Sequence, residues 1–212
     1  MMFRDRADAG MKLADALKKY RDQNVVVYAL PRGGVALGVH VARSLAAPLD
    51  LIVVRKIGHP DNPEFAIAAV AEDGHIERNS AVTRMIDSEW FEDARRTQQA
   101  EACRRRDLYL DGRDPTRADG KVAIIVDDGL ATGLTMALAI REVRHRHPSK
   151  VVVAVPVGPS DAIEELRALV DEVVVLHTLY EGFYAIGAYY DDFPQVTDDE
   201  VLNFMSACSV LK

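Results

Sequence analysis

Two adjacent acids followed closely by small and hydroxyl residues carry the most pointed chemistry in the chain. Asp127-Asp128 closes an apolar run, and Gly129-Leu130-Ala131-Thr132-Gly133-Leu134-Thr135 leads into an amphipathic stretch. Backbone N–H groups over residues 131–135, the dipole of a following helix and the Thr132 and Thr135 hydroxyls together form an anion cradle sized for a phosphate monoester. The acids cannot serve that phosphate, because a carboxylate only accepts hydrogen bonds and repels an anion. Vicinal sugar hydroxyls are the donors that suit it. The segment reads as a ribose 5-phosphate site.

The run Ile124-Ile125-Val126-Asp127-Asp128-Gly129-Leu130-Ala131-Thr132-Gly133-Leu134-Thr135 resembles the phosphoribosyl pyrophosphate (PRPP) signature of type I phosphoribosyltransferases. The resemblance spans roughly residues 25–155 and, more weakly, Gly187-Ala188-Tyr189-Tyr190-Asp191, which is similar to the hood segment of hypoxanthine-guanine enzymes. It implies that Asp127 and Asp128 hold the ribose hydroxyls, and that Gly129, Ala131, Thr132, Gly133, Leu134 and Thr135 wrap the 5-phosphate. Pro31-Arg32-Gly33-Gly34 matches the family's pyrophosphate loop, so Arg32, Gly33 and Gly34 are expected on the leaving diphosphate. Arg55-Lys56 and residues 58–65 resemble the catalytic flexible loop, which implies catalytic roles for Arg55 and Lys56 beside Asp128. The reaction so implied moves the 5-phosphoribosyl group from PRPP to a nitrogenous base and releases pyrophosphate, as in nucleotide salvage. Mg²⁺ is the expected cofactor, bridging substrate oxygens and reaching Asp127, Asp128 or Asp191 through water.

Two features depart from the family pattern. The purine enzymes carry a base-reading lysine where this chain has Pro156-Val157-Gly158-Pro159, which weighs against purine salvage. A long stretch at 88–110 is extra to the minimal fold, and the chain resembles uncharacterised phosphoribosyltransferase-like members more than the named salvage enzymes.

These residues need elements to hold them. Short β-branched runs at 25–30, 49–54, 122–126, 151–155 and 172–176 alternate with amphipathic stretches at 4–20, 35–45, 134–145 and 161–169. That alternation predicts an α/β fold: a central, mainly parallel sheet flanked by helices, its ligand beyond the carboxyl ends of the strands. Residues 57–65, with Gly58, Pro60, Asn62 and Pro63, are expected to form a mobile loop, and Asp73-Gly74 a hairpin turn between 66–71 and 75–78. Residues 1–212 are read as one domain, with a core over about 21–178 and a small hood from the N-terminal helix and about 177–212. Tyr180, Phe183, Tyr189 and Tyr190 either stack a base there or pack the C-terminal segment on the core.

Composition bounds the alternatives. The 49% apolar and 28% charged residues are those of a globular domain, which disfavours disorder and coiled coil. A net charge of −7 gives no general attraction to nucleic acid or anionic membrane, so an anion site must be local. Arg95, Arg96 and Arg104-Arg105-Arg106 are read as a solvated helix face paired with Glu92, Asp93, Glu101 and Asp107 rather than as an RNA surface. Cys103 and Cys208 lack metal-ligand spacing, no secretory or membrane-spanning run is seen, and a reducing cytoplasm is the default expectation. A homodimer is the commonest assembly.

Other readings of the same residues are a PRPP-binding regulator without transferase activity, a phosphate-ester hydrolase and a dinucleotide fold. The hydrolase lacks an activated nucleophile, and the adjacent acids are not the Asp-x-Asp of haloacid dehalogenases. The dinucleotide fold lacks an acid after the second strand, which ends in Arg55-Lys56. His59, a lone histidine in the expected loop, is read as neither a general acid nor a base.

Overall fold

Every residue of the apolar runs 25–29 and 122–126 is buried, the condition of strands covered on both faces. The computed structural model describes residues 2–209. Along the chain lie α1 (Arg6–Ala16), β1 (Val25–Ala29), α2 (Gly33–Leu45), β2 (Leu49–Leu51), β3 (Val54–His59), β4 (Asn62–Ala71), β5 (Ile76–Arg78), α3 (Ser80–Thr83) and α4 (Ser88–Leu110). There follow β6 (Val122–Val126), α5 (Leu134–Arg144), β7 (Lys150–Pro159), α6 (Ser160–Arg167), β8 (Glu172–Leu179) and α7 (Asp198–Ser209).

Five strands form a wholly parallel sheet in the order β2-β1-β6-β7-β8. Because side chains alternate along a strand, each strand feeds two cores. Val26, Tyr28, Ala123, Ile125, Val151 and Val153 pack with Leu138, Ile140 and Val143 of α5 and Ile163 and Leu166 of α6. On the opposite face Val25, Val27, Ile124, Val152 and Ala154 pack with Leu13 of α1 and Leu37 and Val41 of α2. Local signals set the helix ends. The Asp5 carboxylate accepts from the Asp8 N–H at 2.7 Å to start α1, and Asp87 accepts from the Trp90 N–H at 2.9 Å to start α4.

A second sheet of three antiparallel strands, β3-β4-β5, corrects one expectation. Residues 57–65 are not a mobile loop but the facing ends of β3 and β4, turning at Pro60-Asp61. The residues that looked strand-breaking have specific places in this hairpin. The register shifts on both sides of Gly58, where a Cβ would stand 2.2 Å from the Pro63 carbonyl oxygen, so only glycine admits that approach. The hairpin is ordered by its own core of Ile57, Ile67, Ala68 and Val70 under Phe91 of α4. The turn at Asp73-Gly74 forms as expected, with Gly74 at φ +91°.

Other boundaries moved modestly. Ile52 and Val53 stay buried but leave the ladder, so β2 ends at Leu51. β7 runs on through Pro156 to Pro159, since β8 pairs with it as far as Leu179. The long helix expected at 88–110 is α4, buried at Phe91, Ala102, Tyr109 and Leu110 and otherwise polar. Among the described residues no helix is long and apolar enough to cross a membrane.

Candidate active site

The order of the parallel sheet reverses between β1 and β6. The chain leaves β1 toward β2 on one side and β6 toward β7 on the other, so the loops after β1 and β6 diverge and leave a crevice between them. The Leu30 N–H donates to the Val126 carbonyl at 3.0 Å and fixes the two loop starts side by side. A cavity of about 310 Å³ opens there. Arg32, Gly33, Arg55, Lys56, Asp127, Asp128, Gly129, Ala131, Thr132, Gly133 and Thr135 all line it.

The two glycines after β1 are required by contact. A Cβ on Gly33 would lie 1.9 Å from Oδ2 of Asp128, and one on Gly34 would lie 2.7 Å from the Val126 carbonyl oxygen. Gly34 therefore supports the cavity from behind without lining it. The Pro31–Arg32 peptide is cis. After β6, Oδ1 of Asp127 accepts from the Asp128 N–H at 2.8 Å, and the Leu130 N–H donates to the Val157 carbonyl at 2.8 Å. Gly133, at φ +75°, turns the chain into α5. Oγ1 of Thr135 is buried without a hydrogen-bond partner in the wall of this cavity. An anion seated at the start of α5 would satisfy it.

Electrostatically the floor is acidic and one wall basic. Burial pushes the Asp127 carboxyl well above the usual range, and the neighbouring Asp128 adds to the rise. Burial also raises Asp128, against the opposing pull of Arg6. Carboxylate oxygens in this pairing are the hard donors that Mg²⁺ takes, and hydroxyl donors or a cation beside them would favour their charged forms. Across the cavity, Arg55 donates from Nε to Oε1 of Gln98 at 3.1 Å, and its pKa is lowered by burial and by Arg105. Nη1 of Arg32 lies 3.5 Å from Oδ1 of Asp198.

The family model for the phosphoribosyl transferase domain matches residues 4–190, a span that contains the whole cavity lining. The chain belongs to the phosphoribosyltransferase family. Two proteins from different strains of Mycobacterium tuberculosis, each carrying a provisional phosphoribosyl transferase name, are 44% identical over 206 residues. The match takes in 96% of this chain and 46% of theirs, so the chain spans about half the length of these curated relatives. The crystal structure of TT1426 from Thermus thermophilus is 41% identical, covering 97% of this chain and 98% of that one at a TM-score of 0.79. The AQ2163 protein of Aquifex aeolicus, at 13% identity and a TM-score of 0.51 over 82% of this chain and 74% of that one, shares the fold.

Several residues singled out from sequence fall outside the cavity. Leu134 is the first residue of α5 and is absent from the lining. Tyr180 is 82% exposed, Phe183 and Tyr189 stack on each other at 6.3 Å, and none of the three is in the cavity lining. The hood residue that does reach the cavity is Ile186, whose side chain lies against Gly129. Asp191 is exposed and is tied through its backbone N–H to the Phe3 carbonyl rather than to the acid pair. Tyr190 is buried, and its hydroxyl donates to the Asp128 carbonyl at 2.7 Å.

Sequence reasoning missed the groups that hold the acids and the basic loop. Nε of Arg6, in the first turn of α1, donates to Oδ2 of Asp128 at 2.8 Å. Its guanidinium lies 3.6 Å from the Phe193 ring centroid and donates from Nη1 to the Pro194 carbonyl at 2.6 Å. Asp198, at the start of α7, accepts from the Tyr109 hydroxyl at 2.6 Å while facing Arg32. The only local signal was the Asp5 cap that starts α1. In the basic run of α4, Arg95 pairs with Glu92, Arg104 and Arg105 pair with Glu101, and Arg106 pairs with Glu72 just beyond β4, whereas among the described residues Arg96 and the expected partners Asp93 and Asp107 form no ion pair.

Proposed function

We propose that the chain transfers the 5-phosphoribosyl group of PRPP to a nitrogenous base and releases pyrophosphate, through one domain whose hood is built by α1 and the segment after β8. The observation that carries this reading is the cavity itself. One end offers a partnerless buried hydroxyl at the start of a helix, the floor offers two carboxylates, and the far wall offers Arg32, Arg55 and Lys56.

The 5-phosphate sits on the backbone of residues 131–135 and takes the Thr135 hydroxyl as donor. The ribose hydroxyls donate to Asp127 and Asp128, which fixes C1 of the sugar. Arg32, Arg55 and Lys56 meet the diphosphate. As the C1–O bond breaks, its electron pair leaves with the diphosphate, and the cationic side chains stabilise the growing negative charge. The lone pair of the base nitrogen forms the new C1–N bond, and the proton displaced from the base leaves to solvent. Asp127 and Asp128 would hold a Mg²⁺ ion, which would supply further charge neutralisation for the leaving diphosphate. The positive charge that develops at C1 faces the carboxylates. Ile186, resting on Gly129, limits how closely a base plane approaches the β6 loop.

The test is pyrophosphate release from PRPP and Mg²⁺ across purine, pyrimidine and pyridine acceptors with a no-base control. Release with one acceptor class is expected, and it falls at least about 100-fold in Asp127→Asn and Asp128→Asn with circular dichroism unchanged. Full activity in both variants would sink the ribose assignment.

A further inference from the structure

We propose that His75, Glu142 and His145 form a binding site for a divalent transition-metal ion of the zinc class, remote from the PRPP cavity. His75 follows the Asp73-Gly74 turn into β5, while Glu142 and His145 are three positions apart on the last turns of α5 and so share one helix face. One ligand atom from each of the three lies within 4.8 Å of the others. The His75 and His145 rings stand 4.8 Å apart between centroids.

The environment asks for a cation. Glu142 is only 8% exposed, yet among the described residues no lysine or arginine forms an ion pair with it. Nδ1 of His75 faces two carboxylates at once, Oε1 of Glu142 at 2.9 Å and Oδ2 of Asp73 at 2.8 Å. Two acids converging on one imidazole repel each other unless a shared proton or a bound cation lies between them, and a metal ion can take the proton's place. These separations are a little shorter than the roughly 3.3 Å between neighbouring ligand atoms of a tetrahedral zinc site, as its Zn–N and Zn–O lengths near 2 Å imply. His75 already faces inward, and the exposed His145 ring can turn toward it, so the wider separation within the cluster can close around an ion.

The donor set selects the metal. Two imidazole nitrogens with one carboxylate suit Zn²⁺ and its neighbours, whereas Mg²⁺ and Ca²⁺ prefer oxygen alone. Water would complete four ligands, with Asp73 held at 2.8 Å from Nδ1 of His75 just outside the cluster. Such an ion would clip the turn between β4 and β5 to α5, the helix whose first residues shape the phosphate cradle, and so tie together two sheets that meet at the cavity.

The experiment uses the untagged chain, stripped with chelator and titrated calorimetrically with ZnCl₂, then with CoCl₂ followed by visible absorption. One equivalent of Zn²⁺ bound at micromolar or tighter affinity is expected, with cobalt d–d bands of a four-coordinate site and a melting temperature that rises with zinc. His145→Ala and Glu142→Gln should each weaken uptake at least about tenfold. His145 is exposed, so its removal leaves the fold in place. Asp127→Asn with Asp128→Asn should leave zinc uptake unchanged, which separates this site from the acid pair. No uptake by the unaltered chain at about 100 µM zinc, or uptake undiminished in His75→Ala/His145→Ala, would overturn the assignment.

Discussion

Thr135 shows how a single buried atom records an absent partner. A hydroxyl enclosed without an acceptor or donor costs folding free energy, on the order of 1–3 kcal/mol, until something binds it. Thr135→Val removes the unsatisfied group while keeping the shape, so thermal unfolding should be unchanged or slightly raised. Affinity for PRPP, measured as KM in the pyrophosphate-release assay, should weaken about tenfold or more, because in the proposed reading the lost bond is to a charged phosphate. Arg6 is the opposite case, a residue whose loss exposes a debt elsewhere. Arg6→Ala leaves Asp128 buried without its cation, since both side chains of the pair are about nine-tenths enclosed. A loss of about 3 kcal/mol in urea unfolding is expected, and stability within about 0.5 kcal/mol of the unaltered chain would show that the pair does not hold α1 in place. The acid pair and its loop were legible in sequence because every residue of the motif sits within one strand–loop–helix turn. Arg6 was not, because its partner lies 122 positions away and nothing local in α1 specifies it.

At the scale of elements, the hairpin of β3 and β4 is the instructive part. Its glycines and prolines predict a loop when composition is averaged, yet each serves a bulge, a turn or a close approach. The buried side chains Ile57, Ile67 and Val70 then supply enough core for a sheet. Averaging hides that alternation. Gly58→Ala would drive a methyl group into the Pro63 carbonyl, so the hairpin must open or shift. The expected loss is about 2 kcal/mol or more of stability, with faster amide exchange confined to β3 and β4, since backbone here cannot yield as a flexible side chain would. Unaltered exchange in those strands would show that the bulge tolerates a side chain. The same hairpin gives α4 its place. Gln98 holds Arg55, and Arg106 reaches Glu72, so the helix that looked extra to the fold buttresses the basic wall.

The whole molecule is closed at the far end of the sheet by one carboxylate. Glu172, the first residue of β8, accepts from the Tyr20 hydroxyl at 2.5 Å and from Lys150 at 2.9 Å, with Lys19 as a third donor. Burial pushes its carboxyl up, but these hydrogen bonds outweigh burial and hold the pKa at about 2. Because the folded pKa lies below the unfolded one, the stabilisation is fully present above the ordinary carboxylate range, near pH 4.5. It is lost as the pH falls from there toward about 2. Glu172→Gln should therefore flatten the acid limb of a plot of urea midpoint against pH while changing the neutral value less than that limb. An acid limb of unchanged steepness would assign that slope to other groups. The order of the parallel sheet was partly legible, since apolar runs in alternation with helices imply it. Which strand would sit at the edge was not, because edge and centre differ in coverage supplied by the rest of the chain.

The basic wall of the cavity lies within a molecule of net charge −7. A polyanionic substrate therefore approaches against a weak outward push at long range, and feels Arg32, Arg55 and Lys56 only inside about one Debye length. If the proposed function holds, the chain captures such a ligand at contact rather than gathering it from a distance, and dissolved salt would ease the approach while loosening the grip.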